Sequence, residues 1–179
     1  MLPPRPLALL AAVALVAGSC AAQQPSGRPA GPDRGTVTHL IDGDTLDVRI
    51  GDRTERVRLI GVDTPESVAP ERPVQCYGAE ASAHLATLVP EGSEVRLERD
   101  SVARDRFGRL LAYVYRLDDD LLVNLALVEQ GYADAVTYGD NEALYPRLAA
   151  AEAEARDAGR GLWGVCGGPD VDLSIDGAG

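Results

Sequence analysis

Residues 36–63 constrain the fold more than any other part of this chain. "TVTHLIDGDTLDVRI" reads as strand, turn, strand, with Asp42-Gly43 as the turn signal. "GDRTERVRLIGVD" adds a second turn and a third strand. Side chains of a strand face opposite sides in alternation, so such period-two runs need a core on one face only. Farther on, "SEVRLERD" sends Val95 and Leu97 to one face and Glu94, Arg96 and Glu98 to the other, and "RFGRLLAYVYRL" leads from a turn into a fifth strand.

Helical spacing takes over elsewhere. "YGAEASAHLATLV" puts Ala81, Leu85 and Leu88 on one face, and "LLVNLALVEQG" is a short helix stopped by Gly131. "NEALYPRLAAAEAEARDAGRG" is a longer helix, with Leu144, Leu148, Ala151 and Ala155 in register and Pro146 near its start, where proline is tolerated. Five strands and two or three helices, strands mostly first, predict an α+β, mainly β fold built on a small barrel.

The ends read differently. Residues 1–20, "MLPPRPLALLAAVALVAGSC", carry an early Arg, an apolar run and small residues before Cys20. That is a signal-peptide pattern, too short for a comfortable membrane span. "AGSC" resembles a bacterial lipobox, although Ala17 stands where Leu is commoner. It allows two readings: a lipid anchor at Cys20 in the cell envelope, or plain secretion after cleavage. Residues 21–35 are rich in Pro, Gly, Gln and Ala and read as a flexible tether. Residues 36–166 form the folded unit, and the acidic, Gly-rich tail 167–179 reads as disordered. The cysteines are Cys20, Cys76 and Cys166. If Cys20 is lipidated, Cys76 and Cys166 remain as a pair that export would let oxidise; two free buried thiols are the alternative.

The net charge is −11, and every basic residue is Arg. Proteins that hold nucleic acid by bulk electrostatics are basic, so any such activity here must come from a local site. The acids cluster: Asp42, Asp44 and Asp47 in one turn-strand segment, Asp63 and Glu66 in "VRLIGVDTPE". Carboxylates at two strand ends can supply the oxygen ligands of a hard cation. "DGDTLD" is no EF-hand loop, since Leu46 and Asp47 stand where that motif needs a ligand and a Gly. Acids alone also fit a solvated turn. Two arginines change the balance. Arg58 precedes Asp63 on the same strand, on the opposite face by simple alternation unless a bend at Gly61 breaks the count. Arg109 follows the "RFG" turn. The planar Arg fork suits phosphate, and cation, arginines and a basic Glu together are the parts for cleaving a phosphodiester.

These segments resemble one known family. "IDGDTLDV", "VRLIGVDTPE", "YGAEAS", "DRFGRLLAYVY", "NLALVEQGYA" and "AGRGLWG" occur in the order found in the thermonucleases, the staphylococcal nuclease-like proteins. The resemblance runs from about Val37 to Gly164. It implies a five-stranded OB-fold Greek-key barrel with about three helices. It also implies Ca²⁺-dependent hydrolysis of DNA and RNA phosphodiesters that leaves 3′-phosphates. By the same resemblance Asp44 and Asp63 are metal carboxylates, and Thr64 offers its backbone carbonyl to the metal. Glu66 is the general base, and Arg58 and Arg109 bind phosphate. Asp42 and Asp47 match no catalytic role and read as turn and surface residues. The chain departs from the family at Phe107, where a Tyr is common, and at Tyr138, one position out of register with the nucleotide-stacking tyrosines.

The expectation is therefore a monomeric nuclease, secreted or anchored to lipid. The rival is a noncatalytic OB module binding oligonucleotide or protein at the cell surface. A binding module has no need of Glu66, Arg58 and Arg109 beside the metal acids. His39 and His84 are too far apart in sequence to form a zinc site, and Trp163 is expected to pack the last helix against the barrel.

Overall fold

A computed structural model describes residues 33–67 and 73–173. The leader, Cys20 and most of the tether lie outside those residues. Three strands come first: β1 (Asp33–Leu40), β2 (Thr45–Ile50) and β3 (Arg53–Leu59), followed by the two-residue β4 (Val62–Asp63). Then come α1 (Gly78–Leu88), β5 (Glu94–Glu98), β6 (Leu110–Arg116) and β7 (Leu121–Leu122). The chain continues through α2 (Val123–Glu129), β8 (Asp134–Ala135), α3 (Tyr145–Asp157) and α4 (Leu162–Val165).

The main sheet runs in the order β3-β2-β1-β5-β6-β7, and β6 also pairs with β3. That last pairing closes β1, β2, β3, β6 and β5 into a five-stranded barrel of OB type. Every other pairing in the barrel is antiparallel, but β3 and β6 run parallel, with Arg58 opposite Leu111. β1 serves two neighbours, and its register with β2 shifts between Val37 and His39, a bulge that bends it around the barrel. Val95 and Leu97 point inward, as their alternation predicts, and Leu46, Val48, Val57, Leu59 and Leu111 join them in the core.

α2 and α3 close one side of the barrel. α2 is buried almost throughout. Its Asn124 is wholly buried, accepting from the Val114 amide at 2.9 Å and donating to the Ile60 carbonyl at 2.8 Å. One side chain thereby ties β6 to the bend between β3 and β4. Gly131, at φ 76°, ends α2 as the sequence predicts. α3 begins at Tyr145, later than the pattern indicated. Asn141 is taken up instead by Val102, whose amide and carbonyl it bonds at 2.7 and 3.1 Å.

Three further features differ from the sequence reading. β1 starts at Asp33, inside the stretch assigned to the tether, because residues 33–36 pair with β5. The tail is ordered over residues 167–173, of which 170–173 bond to residues 74–76, and residues 174–179 lie outside the described residues. The short β4 and β8 form a small second sheet, Asp63 opposite Asp134, too brief to leave a period in the sequence. Cys76 and Cys166 are joined in a disulfide with Cα atoms 6.0 Å apart. No helix among the described residues is long and apolar enough to cross a membrane.

Candidate active site

The site lies where the β1–β2 turn, the β3–β4 bend and the start of β6 meet. Gly61, at φ 80°, makes the bend, and a side chain there would strike Leu148. The bend breaks the strand alternation. Arg58 and Asp63, five residues apart, therefore meet, with Nη2 2.6 Å from Asp63 Oδ1. Arg58 Nε lies 3.0 Å from Asp44 Oδ1, and Nη1 donates to the Val62 carbonyl at 2.8 Å and to that of Leu59. Arg58 and Asp44 are both buried, and a buried pair of this kind stands only because each is hydrogen-bonded on several sides.

Asp44 is the hub. Its Oδ1 also accepts from Thr45 Oγ1 at 3.0 Å, and its Oδ2 accepts from the Thr64 amide and hydroxyl, each at 3.1 Å. The contact needs a glycine next door. A Cβ on Gly43 would lie 2.6 Å from Thr64 Oγ1, so any larger residue would push the β1–β2 turn away from Thr64. Two residues on, Glu66 is held by its backbone. Its amide donates to Gln75 Oε1 at 2.7 Å, and its carbonyl accepts from the Gln75 amide at 2.8 Å. Gly78 at the start of α1 allows this approach, for a Cβ there would come within 2.5 Å of the Glu66 carbonyl.

Arg109 comes from the opposite side. Asp105 holds it through Oδ2, 2.6 Å from Arg109 Nε, while Asp105 Oδ1 accepts the Arg109 amide at 2.9 Å. Burial pushes Asp105 up, but these bonds from Arg109 outweigh it and hold the carboxyl below the usual range. Arg109 Nη2 meets the Tyr138 hydroxyl at 3.1 Å, and the Arg58 guanidinium lies 5.5 Å from the centre of the same ring. Tyr138 thus stands between the two arginines. It brings a phenol to Arg109 that Phe107, 68% exposed and pointing outward, does not.

One pocket gathers Asp44, Arg58, Asp63, Thr64, Glu66 and Arg109, all six residues singled out from the sequence. Its walls also include Asp42, Gln75, Tyr138 and Asp170. Asp42 is therefore more than a turn residue: its Oδ1 accepts the Asp44 amide at 3.1 Å, and it faces the pocket. Asp47 stays outside, paired with Arg56 across β2 and β3 at 3.0 Å. Of these additions Asp42 and Tyr138 had a signal in the sequence, Asp42 as one of the clustered acids. Gln75 and Asp170 are brought in by the disulfide-linked segments, which no local pattern announces.

The electrostatics are those of crowded acids. Burial, then the Asp44 charge, pushes Asp42 up to about 6. Burial likewise pushes Asp63 up to about 6 despite the pull of Arg58, with Asp44, Asp170 and Glu66 adding to the rise. Asp134, opposite Asp63, is pushed up to about 7 by burial and by the Asp63 charge. The donors are all oxygen, which suits a hard cation and would relieve this repulsion. Among the described residues, however, no three His, Cys, Asp or Glu side chains already stand as a ligand shell. In this structure the Arg58 guanidinium bridges Asp44 and Asp63, so a cation held by both acids requires that bridge to shift.

Comparison with known proteins accords with this geometry. Residues 56–165 match the family described as staphylococcal nuclease homologue. The chain is 40% identical over 127 residues to a protein named thermonuclease from Staphylococcus intermedius, covering 71% of this chain and 74% of that one. It is 39% identical over 127 residues to a thermonuclease from Staphylococcus hyicus, covering 71% and 73%. Endonuclease YncB of Bacillus subtilis (strain 168) is 37% identical over 134 residues, covering 74% and 62%. The barrel, the shared pocket and these matches together make the chain a member of the staphylococcal nuclease homologue family.

Proposed function

We propose that this phosphodiester-hydrolysing nuclease cuts DNA and RNA with the help of Ca²⁺ and leaves 3′-phosphates. One observation carries the reading: Glu66, Arg58 and Arg109 line the same pocket as the Asp44–Asp63 pair. Asp44, Asp63 and the Thr64 carbonyl are the residues that would hold Ca²⁺, with Asp42 beside them. Bound there, Ca²⁺ supplies positive charge to the phosphate and a site for water. Glu66 takes a proton from the water that attacks phosphorus. The new O–P bond forms as the P–O5′ bond breaks, and the departing O5′ takes up a proton. Arg58 and Arg109 meet the charge growing on the equatorial oxygens, where preorganised donors act most strongly. Arg109 is presented by Asp105 and Tyr138, so its fork is oriented before substrate arrives.

The working location we propose is outside the cytoplasm, by secretion or by a lipid on Cys20, with the protein acting as a monomer. The leader pattern and the Cys76–Cys166 disulfide favour export, since such bonds persist in oxidising compartments. The test is a cleavage assay of the purified protein on DNA and on RNA, with Ca²⁺ and with chelator. Cleavage with Ca²⁺ that chelator abolishes is the expected result. Binding of oligonucleotide without cleavage under any divalent ion would transfer the case to the noncatalytic module.

A further inference from the structure

The family match ends at residue 165, one position before Cys166. The segment beyond Cys166 is laid directly against the loop that carries Glu66. The Cys76 amide donates to the Val171 carbonyl at 2.7 Å, the Leu173 amide donates to the Val74 carbonyl at 3.0 Å, and Gln75 pairs with Asp172. Between the disulfide and these bonds the chain turns tightly, with Gly167 at φ 82° and Asp170 at φ 57°. Asp is one of the few side chains that tolerate this backbone region.

The turn brings Asp170 Oδ1 to within 3.1 Å of Gln75 Nε2. Gln75 is the residue that holds Glu66, accepting its amide through Oε1 and donating its own amide to the Glu66 carbonyl. A glutamine amide has one accepting end and one donating end. With a carboxylate on one side and an N–H on the other, only one orientation satisfies both. Asp170 therefore fixes which end of Gln75 faces Glu66.

We propose that residues 167–173 form a strap that positions Glu66, with Asp170 and Gln75 as positioning residues and the Cys76–Cys166 disulfide as its clasp. Turnover then reaches its full rate only while that pair is oxidised. This rests on Glu66 acting as the base. Misplacing a catalytic group by about 1 Å can cost on the order of 10²-fold, and a loosened strap is a milder disturbance.

The test uses the full chain with Asp170→Asn and Asp170→Gly. Asn keeps an accepting oxygen and tolerates the backbone; Gly tolerates the backbone and removes the acceptor. Two quantities are read: kcat and KM on DNA with Ca²⁺, and hydrogen exchange of the Glu66 amide. Asp170→Gly should lower kcat about tenfold and speed Glu66 exchange, while Asp170→Asn, which removes the charge but keeps the acceptor, should leave Glu66 exchange near the parent. Dithiothreitol, which splits the disulfide into two thiols and becomes a cyclic disulfide itself, should act like Asp170→Gly. Cys76→Ser with Cys166→Ser should do the same without reagent. Parental kcat and exchange in Asp170→Gly would overturn the strap, and so would equally fast Glu66 exchange in the Asn and Gly variants. A parent that cleaves no nucleic acid would instead refute the nuclease reading, and the exchange data would still decide the strap.

Discussion

At the scale of single residues, the proposed roles of Glu66 and Arg109 can be separated by mutation. Glu66→Gln would remove the proposed base and none of the proposed Ca²⁺ ligands, so kcat should fall by about 10²–10⁴ while calorimetric Ca²⁺ affinity holds. Retention of parental kcat would give the proton to another group. Arg109→Lys should cost about 10²–10³ in kcat, because an ammonium cannot reproduce the fork that Asp105 and Tyr138 orient. The six residues of the candidate site could be named from the sequence because the motifs that carry them resemble those of one known family. Asp42, Gln75 and Asp170 could not. The first is legible only as one of the clustered acids, and the other two belong to segments joined by a cross-link of sequence separation 90. Strand alternation, taken literally, put Arg58 on the wrong face for Asp63. The positive φ of Gly61 reversed that, and a glycine in a strand pattern was the one visible warning.

At the scale of elements, Asn124 should be among the costliest polar residues to lose. Asn124→Ala leaves the Val114 amide and the Ile60 carbonyl without their partner, and about 1–3 kcal/mol per stranded group is the expected loss in chemical denaturation. A variant within about 0.5 kcal/mol of the parent, the usual range for an uninvolved surface site, would show that water replaces the amide there. The barrel strands and the three longer helices were legible because each carries apolar residues over a length sufficient to show a pattern, even where, as in α2 and β6, both faces are buried. β4 and β8 were not, since two residues cannot establish a period, and the start of α3 was misplaced because Asn141 serves Val102 instead. Reducing the disulfide should also lower stability, by at most about 4–5 kcal/mol for a loop of this length.

At the scale of the whole molecule, the site works against the fold that holds it. Asp42, Asp63 and Asp134 are pushed up to about 6, 6 and 7. An acid whose folded value lies above its unfolded value binds more protons in the native state. These three therefore stabilise the fold at low pH, and that contribution is lost as pH rises from about 4 to about 7. Metal-free protein should accordingly show its loss from this group by about pH 8, Ca²⁺ should restore stability most at that pH, and Asp134→Asn should flatten the change between about pH 5 and 8. A variant with the parent's pH slope would clear Asp134 of any part in it. The charge of −11 was readable at once, but its consequence was not, because it depends on which acids are buried together. The parallel seam between β3 and β6 has a kinetic consequence as well. Arg58 sits on one side of it, opposite Leu111, and Arg109 directly precedes the other strand. Contacts between residues some fifty positions apart form only after a long loop has closed, which makes them slow. The two arginines therefore come together only when the barrel shuts. If the two arginines act on substrate as proposed, a chain still being synthesised carries both and cannot use them, so folding itself would be the safety catch of this nuclease.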